Sequence, residues 1–279
     1  MNNKNIQENT NNQMIGCGMY AISEDLKTAW SSLFAGFQID RVDKTWSPTL
    51  GNMNVEFSTE EELYASKNCL IAHTCGYPYL KKWQKSHAVT CVPKFDIDGC
   101  QGINYRSWFI KKKTDDKKKL EEFQNTRVAI NSWTSNSGMN VLRFAISKLN
   151  TVKRFFSAVC LTGSHYQSAL SVANGTAEIA AVDAVTFYFL CQSHPEIVTE
   201  IEIFDQSVLT PGLPFIQPRD SELAAKEITS ALNLALNQYL ISHKDRLKIS
   251  SFIEVDESRY MEIQELENQS VKNGYPTLA

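Results

Sequence analysis

One stretch in the second half of the chain places three structural signals in a fixed order. An apolar run at 158–161 leads into the turn Thr162-Gly163-Ser164-His165, and a helical pattern follows as far as Gly175. Serine is a preferred helix N-cap residue, and Gly175 lies where a helix C-cap glycine belongs. The stretch therefore predicts a strand, a sharp turn and a helix, with Ser164 and His165 at the helix N-terminus.

An earlier segment repeats this design. An apolar run at 128–130 leads to Ser132, Ser135, Ser137 and Gly138, and helical spacing continues to about residue 149. The N-terminus of a helix attracts anions, because its first N–H groups and the positive end of the helix dipole point outward there. Two such turns indicate a shared site for a small anion. Simple helix capping is the alternative interpretation of Ser135 and Ser137.

Strands and helices alternate through the rest of the chain. Strand-like runs occur at 69–73, 89–93, 178–183 and 200–204, and helical spacing occurs at 23–37, 184–193 and 223–239. Residues 208–218 contain three prolines and suit an extended connector. This alternation predicts an α/β fold with largely parallel strand pairing.

Composition and charge exclude some classes of function. The 279 residues are 43% apolar and 21% charged, which is typical of a soluble globular protein. A formal net charge of -3 offers no basic surface for nucleic acid. The most apolar window, 179–191, is too short to span a bilayer and is interrupted by Asp183, so we expect no membrane insertion.

The two ends of the chain are strongly polar. Residues 1–13 have no apolar segment of the signal-peptide kind and are predicted to be a disordered leader. The chain as given is therefore expected to be cytoplasmic, or to be exported by a non-standard signal. Residues 266–279 are predicted to be a separate tail. A host-directed protein whose polar end (264–279) serves export remains open as an alternative.

The seven cysteines are an odd number without a CxxC pair, so they predict no disulfide framework. Cys69, His73 and Cys75 are close together in sequence, but a structural zinc site needs a fourth ligand and paired spacing. We therefore expect no metal and no cofactor.

Six short motifs, in order, resemble the phosphonate-binding component of ABC transporters. They are 74–79 (TCGYPY), 105–107 (YRS), 135–138 (SNSG), 163–165 (GSH) with the helix to 175, 180–186 (AAVDAVT) and 211–214 (PGLP). A closing segment at 252–260 fits the same family, so the resemblance covers about residues 14–263. It implies a type 2 periplasmic-binding-protein fold, in which two α/β lobes joined by two crossing strands close over a ligand.

The resemblance also implies how the chain is divided. Lobe 1 would contain residues 14–104 and 207–265, and lobe 2 would contain residues 105–206. The crossings would lie near 105–110 and 208–216.

The same resemblance assigns site residues. Phosphate, phosphite or phosphonate oxygens would be held by the SNSG turn and by the histidine of the GSH motif, that is by Ser135, Asn136, Ser137 and His165. Ser164, the predicted N-cap beside that histidine, is a further candidate. Three tyrosines would face them from the other lobe, namely Tyr20, Tyr77 and Tyr79. The implied role is non-catalytic binding, either for an ABC permease or as a ligand sensor.

Asp183 is unusual beside an anion, because a carboxylate repels it. We interpret it as the acceptor for a protonated ligand oxygen or for a ligand amine. Its alternative role is to cap the helix at 184–193.

Two other functions remain open at this point. An enzyme on the same fold would use His165 and Asp183, although no GxSxG nucleophile motif is present. A thiamine-like cation stacked on Tyr77 or Tyr79 would need an aromatic cage in place of an anion pocket.

Overall fold

The computed structural model describes residues 13–37, 54–58, 61–149, 154–242 and 245–278. The leader predicted at 1–13 lies outside the described residues except for Gln13. The strands in chain order are β1 Met14–Gly16, β2 Asn54–Glu56, β3 Cys69–His73, β4 His87–Phe95, β5 Cys100–Gln101, β6 Asn104–Tyr105, β7 Ser107–Lys112, β8 Arg127–Ile130, β9 Ala158–Leu161, β10 Ile179–Asp183, β11 Ile201–Gln206, β12 Thr210–Pro211, β13 Phe215–Pro218 and β14 Ile249–Ile253.

The α-helices in chain order are α1 Glu24–Phe34, α2 Glu61–Ala65, α3 Gly76–Pro78, α4 Val141–Ser147, α5 His165–Ala173, α6 Ala184–Ser193, α7 Pro195–Val198, α8 Ala225–Ser242 and α9 Met261–Lys272. Short 3-10 helices lie at Leu120–Phe123 and Glu257–Tyr260. Wider π-helical turns lie at Tyr79–Trp83 and Asn136–Asn140. The first continues directly from α3, and the second follows the loop after β8.

The strands form two main sheets, one in each lobe. The lobe 1 sheet has the order β14-β4-β13-β3-β1-β2, and the lobe 2 sheet has the order β11-β7-β10-β8-β9. In lobe 1, β1 is parallel to β2 and β3, and in lobe 2, β8 is parallel to β9 and β10. This arrangement confirms the predicted two-lobed α/β fold.

The pairing is mixed, however, and the predicted largely parallel pairing is a simplification. Strands β7 and β13 follow directly on the two connections between the lobes, and both pair antiparallel with their neighbours. A strand that enters a sheet after crossing from the other lobe is antiparallel to the strands of the local strand–helix units. The repeat seen in the sequence accounts only for the parallel part of each sheet.

A small third sheet joins the lobes. Strand β6 pairs antiparallel with β12, with Tyr105 opposite Thr210, and with β5 on its other side. The chain therefore crosses at two adjacent places, and the crossings are held together by backbone hydrogen bonds. Such a pair of strands can bend as a hinge.

Each lobe has its own hydrophobic core, formed as the helical spacing predicts. Helix α1 begins after Ser23, whose hydroxyl accepts the Leu26 N–H at 3.3 Å. Its buried face includes Trp30 and Leu33, which are fully buried and pack into the lobe 1 core. In lobe 2, α4 packs Leu142 and other apolar residues against the sheet.

The C-terminal segment differs from the predicted separate tail at 266–279. Helix α9 packs on α4 of lobe 2, and beyond it Tyr275 and Leu278 are buried in the lobe 2 core. The Arg143 guanidinium, on α4, donates to the Pro276 carbonyl at 2.8 Å. The polar residues of this segment reflect one solvated helix face, while its few apolar residues pack against lobe 2.

Candidate functional site

A cleft of about 510 Å³ lies between the lobes, and residues of both lobes line it. It opens at the carboxyl ends of β1 and β3 in lobe 1 and of β8, β9 and β10 in lobe 2. Ligands of open α/β sheets bind at this edge. The cleft is therefore the candidate binding site.

The turn after β8 brings Ser135 and Ser137 to the cleft in different roles. The Ser135 hydroxyl accepts the Gly138 N–H at 2.9 Å and caps the π-helical turn. The Ser137 hydroxyl lies 2.8 Å from Nε2 of His165. The capping alternative thus describes Ser135, whereas Ser137 points at the second turn.

Asn136 lies in the same turn, but its side chain faces away from the cleft. Its Nδ2 donates to the Thr210 hydroxyl at 3.0 Å, and its Oδ1 accepts from Asn140 at 3.1 Å. The side chain is completely buried between the turn and the hinge strand β12. Its amide group therefore connects the turn after β8 to the hinge strand β12.

The turn after β9 presents His165 as the first residue of α5. Ser164 is the N-cap and accepts the Gln167 N–H at 3.1 Å, as its position in the sequence predicts. Gly163 adopts a φ of 86°, which a residue with a side chain rarely adopts. The Gly163 N–H donates to the Asn131 carbonyl at 3.1 Å, so the two turns are joined through their backbones.

The two carboxylate oxygens of Asp183 have separate partners, and its predicted role as a helix cap is the one that the structure shows. Its Oδ1 accepts the Thr186 N–H at 2.8 Å and caps α6. Its Oδ2 lies 3.4 Å from Nε2 of His165. The carboxylate is nearly completely buried, so it needs these partners to be accommodated.

The electrostatics of the cluster depend on His165. Burial lowers the pKa of His165 below its ordinary value, although the Asp183 carboxylate and the Ala181 backbone oppose the shift. The imidazole is therefore neutral near pH 7. The residues Ser137, His165 and Asp183, called the anion seat below, include one acidic side chain and no lysine or arginine.

The anion seat does not have the geometry of a catalytic triad. In a triad, the carboxylate binds one imidazole nitrogen while the serine hydroxyl binds the other. Here Ser137 and Asp183 both face Nε2. The carboxylate therefore competes for the nitrogen that would receive the serine proton, and nothing in this arrangement indicates catalysis.

Helix N-termini supply positive potential in place of cationic side chains. The cap residues Ser135, Ser164 and Asp183 all line the cleft, so the helical segments they cap begin there. Among the described residues that line it, Lys82 is the only lysine or arginine, and its ammonium group contacts Glu61. Backbone dipoles are the main source of attraction for an anion.

Tyr20 is part of the cleft lining on the lobe 1 side, and its contact with a ligand stays a prediction. Its ring packs edge-on against His73 and Phe95, with centroids 5.4 and 5.3 Å apart. Burial, and next the nearby Asp183 carboxylate, raise the pKa of Tyr20 well above its ordinary value. The phenol therefore remains protonated.

Tyr77 and Tyr79 are placed elsewhere, which corrects the expectation for these two residues. The Tyr77 hydroxyl donates to Glu267 at 2.9 Å, and the Tyr79 hydroxyl donates to Glu257 at 2.8 Å. Neither residue is part of the cleft lining. The loop turns their hydroxyls toward the C-terminal segment, so the structure provides no cage there for a thiamine-like cation.

Sequence reasoning did not assign Asn131 or Cys75 to the binding site, although both line the cleft. Asn131 directly follows β8, and its position at a strand end was an available signal. A Cβ on Gly138 would lie 1.9 Å from its Oδ1, so glycine is required where the Asn131 side chain crosses the turn. Burial raises the pKa of the Cys75 thiol, while the Asn136 and Tyr77 N–H groups partly oppose that shift.

The structure shows no alternative metal or redox centre within its described ranges. All seven cysteines lie in that part of the chain, and all are free thiols. No group of three His, Cys, Asp or Glu side chains is arranged there to hold a metal ion. None of the described helices has the length and hydropathy that a bilayer crossing requires.

The fold and the cleft define a two-lobed ligand-binding protein with a hinge. Residues 56–260 match the family model described as "ABC transporter, phosphonate, periplasmic substrate-binding protein". The chain belongs to this family, which confirms the resemblance found in the sequence. The family is described as periplasmic, and the cytoplasmic location expected from residues 1–13 is not confirmed. In a direct sequence comparison, no curated protein matches the chain.

Solved structures of the same shape support the fold. PhnD1 from Prochlorococcus marinus, in complex with methylphosphonate, has a TM-score of 0.70 at 15% identity, over 95% of this chain and 100% of that one. A binding protein component of the ABC phosphonate transporter of Pseudomonas aeruginosa has a TM-score of 0.68 at 17% identity, over 94% and 87%. A Xanthomonas citri protein bound to ATP has a TM-score of 0.63 at 12% identity, over 94% and 98%. At these identities the likeness concerns the fold alone.

Proposed function

We propose that this protein binds a small phosphorus oxyanion or phosphonate between its lobes, without catalysis, as the ligand-binding component of an ABC transporter. The observation that carries the proposal is the anion seat at the start of α5 and α6. The Ser137 hydroxyl and the His165 ring provide directed donors, and the helix N-termini provide the electrostatic field. Membership of the family supports the transport role, and ligand sensing is the alternative use of the same site.

The charge of the seat selects the protonation state of the ligand. Within the anion seat, Asp183 Oδ2 lies 3.4 Å from Nε2 of His165, and burial keeps His165 neutral. An oxyanion that carries a proton can donate it to this carboxylate, whereas a fully ionised anion brings like charges together. The site therefore favours monoprotonated phosphate, phosphite or phosphonate over sulfate.

The binding claim is tested by thermal shift and calorimetry with phosphate, phosphite, methylphosphonate, aminoethylphosphonate, sulfate and thiamine. A ligand present at a hundredfold over its Kd stabilises the folded protein by about 2.7 kcal/mol. We expect shifts with phosphorus compounds and none with sulfate or thiamine. Absence of a shift with every phosphorus compound would show that the proposal is wrong.

The role of the carboxylate is tested with Asp183→Asn. Asparagine is as good an N-cap as aspartate, so α6 keeps its cap while the charge is removed. We expect the preference for phosphorus anions over sulfate to fall by roughly tenfold or more. Asp256→Asn is the matched control, because Asp256 caps a 3-10 helix outside the cleft through the Ser258 N–H at 2.8 Å. An unchanged preference in Asp183→Asn would remove Asp183 from the recognition of the ligand.

A further inference from the structure

The two walls of the cleft differ in chemistry. The lobe 2 wall consists largely of hydroxyl, amide and imidazole groups around the anion seat. The lobe 1 wall includes Met19, Ile22, Phe57 and Trp83. A tetrahedral oxyanion has no apolar surface to place against these four side chains.

The apolar wall is held in place by the core beneath it. Met19, Ile22 and Phe57 are partly buried and pack against the lobe 1 core cluster. Trp83 packs on a second cluster and meets the Tyr64 ring edge-on, with centroids 5.4 Å apart. The inner part of each side chain is fixed by packing, and the rest faces the cleft as preformed apolar surface.

The charged groups on this wall neutralise each other. Lys82 and Glu61 both line the cleft and form an ion pair, with side chains 42% and 60% exposed. Among the described lining residues of lobe 1, they are the only formally charged groups. The wall therefore presents no net charge to a second ionic group on a ligand.

The cleft is also larger than an oxyanion requires. Liquid water occupies about 30 Å³ per molecule, so the five heavy atoms of a phosphate need on the order of 150 Å³. The cleft measures about 510 Å³. Space for several more heavy atoms remains between the anion seat and the apolar wall.

We propose that the preferred ligand is an organophosphonate whose carbon-bound substituent is apolar and several carbons long. The phosphonate group would occupy the anion seat, and the substituent would cover Met19, Ile22, Phe57 and Trp83 on closure. This inference rests on the proposed binding of phosphorus anions. The energetic reason is the hydrophobic effect, which tightens binding by roughly fourfold for each methylene group that is buried.

The test is calorimetry with inorganic phosphate, methylphosphonate, propylphosphonate, phenylphosphonate and aminoethylphosphonate. Two added methylenes predict a Kd for propylphosphonate roughly fifteenfold lower than that for methylphosphonate. Phenylphosphonate is expected to bind at least as tightly as propylphosphonate. Equal or weaker binding of propylphosphonate, or tighter binding of aminoethylphosphonate than of propylphosphonate, would overturn the inference and leave the proposed function intact. Failure of all five compounds to bind would overturn both.

Substitutions in the apolar wall test the same inference a second way. Met19→Gln keeps the length of the side chain, and combined with Ile22→Thr it makes this part of the wall polar. The ratio of the methylphosphonate Kd to the propylphosphonate Kd is expected to fall from roughly fifteen toward one. Met261→Gln is the matched control, because Met261 is 49% exposed on α9 and is not part of the cleft lining. A ratio that falls equally in the control, or that remains unchanged in both the double variant and Met19→Gln alone, would contradict the proposal.

Discussion

The loop after β3 (residues 74–79) and the turn after β8 (residues 131–138) looked alike in the sequence. Each follows a buried strand, each carries hydroxyl groups, and each was expected to face the ligand. In the structure, Ser137 of the β8 turn points at His165 in the cleft, whereas Tyr77 and Tyr79 of the β3 loop point at carboxylates of the C-terminal segment. A strand end places a loop near the site, but the direction of its side chains is decided by the elements that pack on it.

The partners on the two sides explain this difference. Glu267 accepts from Tyr77 and forms an ion pair with Lys81 at 2.6 Å, and it lies 3.8 Å from Arg143 of lobe 2. The β3 loop is therefore fastened to a helix that spans both lobes. In the β8 turn, Ser135 and Ser137 line the cleft, whereas Asn136 bonds to Thr210 of the hinge strand.

The largest expected effect is on stability, in Arg143→Met. Arg143 is 4% exposed and donates to the Asn140 side chain at 2.7 Å and to the Pro276 carbonyl at 2.8 Å. Removing the guanidinium leaves buried acceptors unpaired, so we expect a loss of about 3 kcal/mol in urea unfolding. Arg246→Met breaks an exposed pair with Asp25 and should lose less than about 1 kcal/mol. Equal losses would show that the fastening of the C-terminal segment contributes no more than a surface ion pair.

Ligand affinity is the most direct measure of the difference between the β3 loop and the β8 turn. His165→Ala removes a donor from the anion seat and should raise the Kd for methylphosphonate roughly a hundredfold, equivalent to about 2.7 kcal/mol. Tyr79→Phe removes only the hydroxyl that donates to Glu257, and it should leave the Kd within about twofold. Calorimetry on both variants measures these Kd values and shows whether the β3 loop contributes to ligand affinity. A large loss of affinity in Tyr79→Phe would show that the β3 loop takes part in ligand binding.

His73, the last residue of β3, makes the stability of the folded protein sensitive to acid. Burial lowers the pKa of His73 from 6.5 to about 3, although its ring bonds to the Leu213 carbonyl at 3.2 Å. Below pH 6.5 the unfolded chain therefore binds a proton that the folded chain does not. The stability associated with His73 is complete above pH 6.5 and is lost progressively as the pH falls toward 3. The loss should reach about 2.7 kcal/mol at pH 4.5.

Urea unfolding at pH 7 and pH 4.5 measures this loss, and His73→Phe should reduce it. The lowered pKa values of His87 and His165 account for part of the remainder. Met261→Gln, an exposed substitution on α9 that leaves every titratable group in place, is the control and should retain the full difference between the two pH values. An undiminished loss in His73→Phe would assign the acid sensitivity to other groups.

A pair of glycine substitutions gives the smallest effects and the finest distinction. A Cβ on Gly138 would meet Asn131 and lie 3.1 Å from Cε1 of His165, whereas a Cβ on Gly76 would lie 2.6 Å from the Ile263 side chain on α9. Each change to alanine should destabilise the fold by about 1–2 kcal/mol. Only Gly138→Ala should also weaken methylphosphonate binding, because it displaces the anion seat. Equal effects on binding would mean that the two glycines support the site in the same way.

Local signals in the sequence were sufficient to predict the helix caps around the site. Ser164 and Asp183 each precede a helical segment and follow a strand, and both cap a helix in the structure. Capping is a short-range interaction between a side chain and the backbone two or three residues later, so the sequence contains all of its parts. The proposal that the two turns after β8 and β9 bind an anion rests on the same local geometry.

Long-range contacts were not readable in this way. The bond between Asn136 and Thr210 and the bond between Tyr77 and Glu267 join residues far apart in sequence. Nothing near either residue indicates its partner. The docking of 266–278 on lobe 2 was missed for the same reason, since a few buried residues such as Tyr275 and Leu278 anchor a mainly polar segment.

The alternation of strands and helices, the caps, and the turns that carry Ser137, His165 and Asp183 can be read from the sequence, because these features depend on neighbours a few residues away. The packing of the lobes places Ser137 and Asp183 against one nitrogen of His165, and it turns Tyr77 and Tyr79 away from the cleft. It also places an apolar wall opposite the anion seat. The physical reason is that a side chain is oriented by the partners that bury it, and those partners are brought together only when the lobes and the C-terminal helix pack.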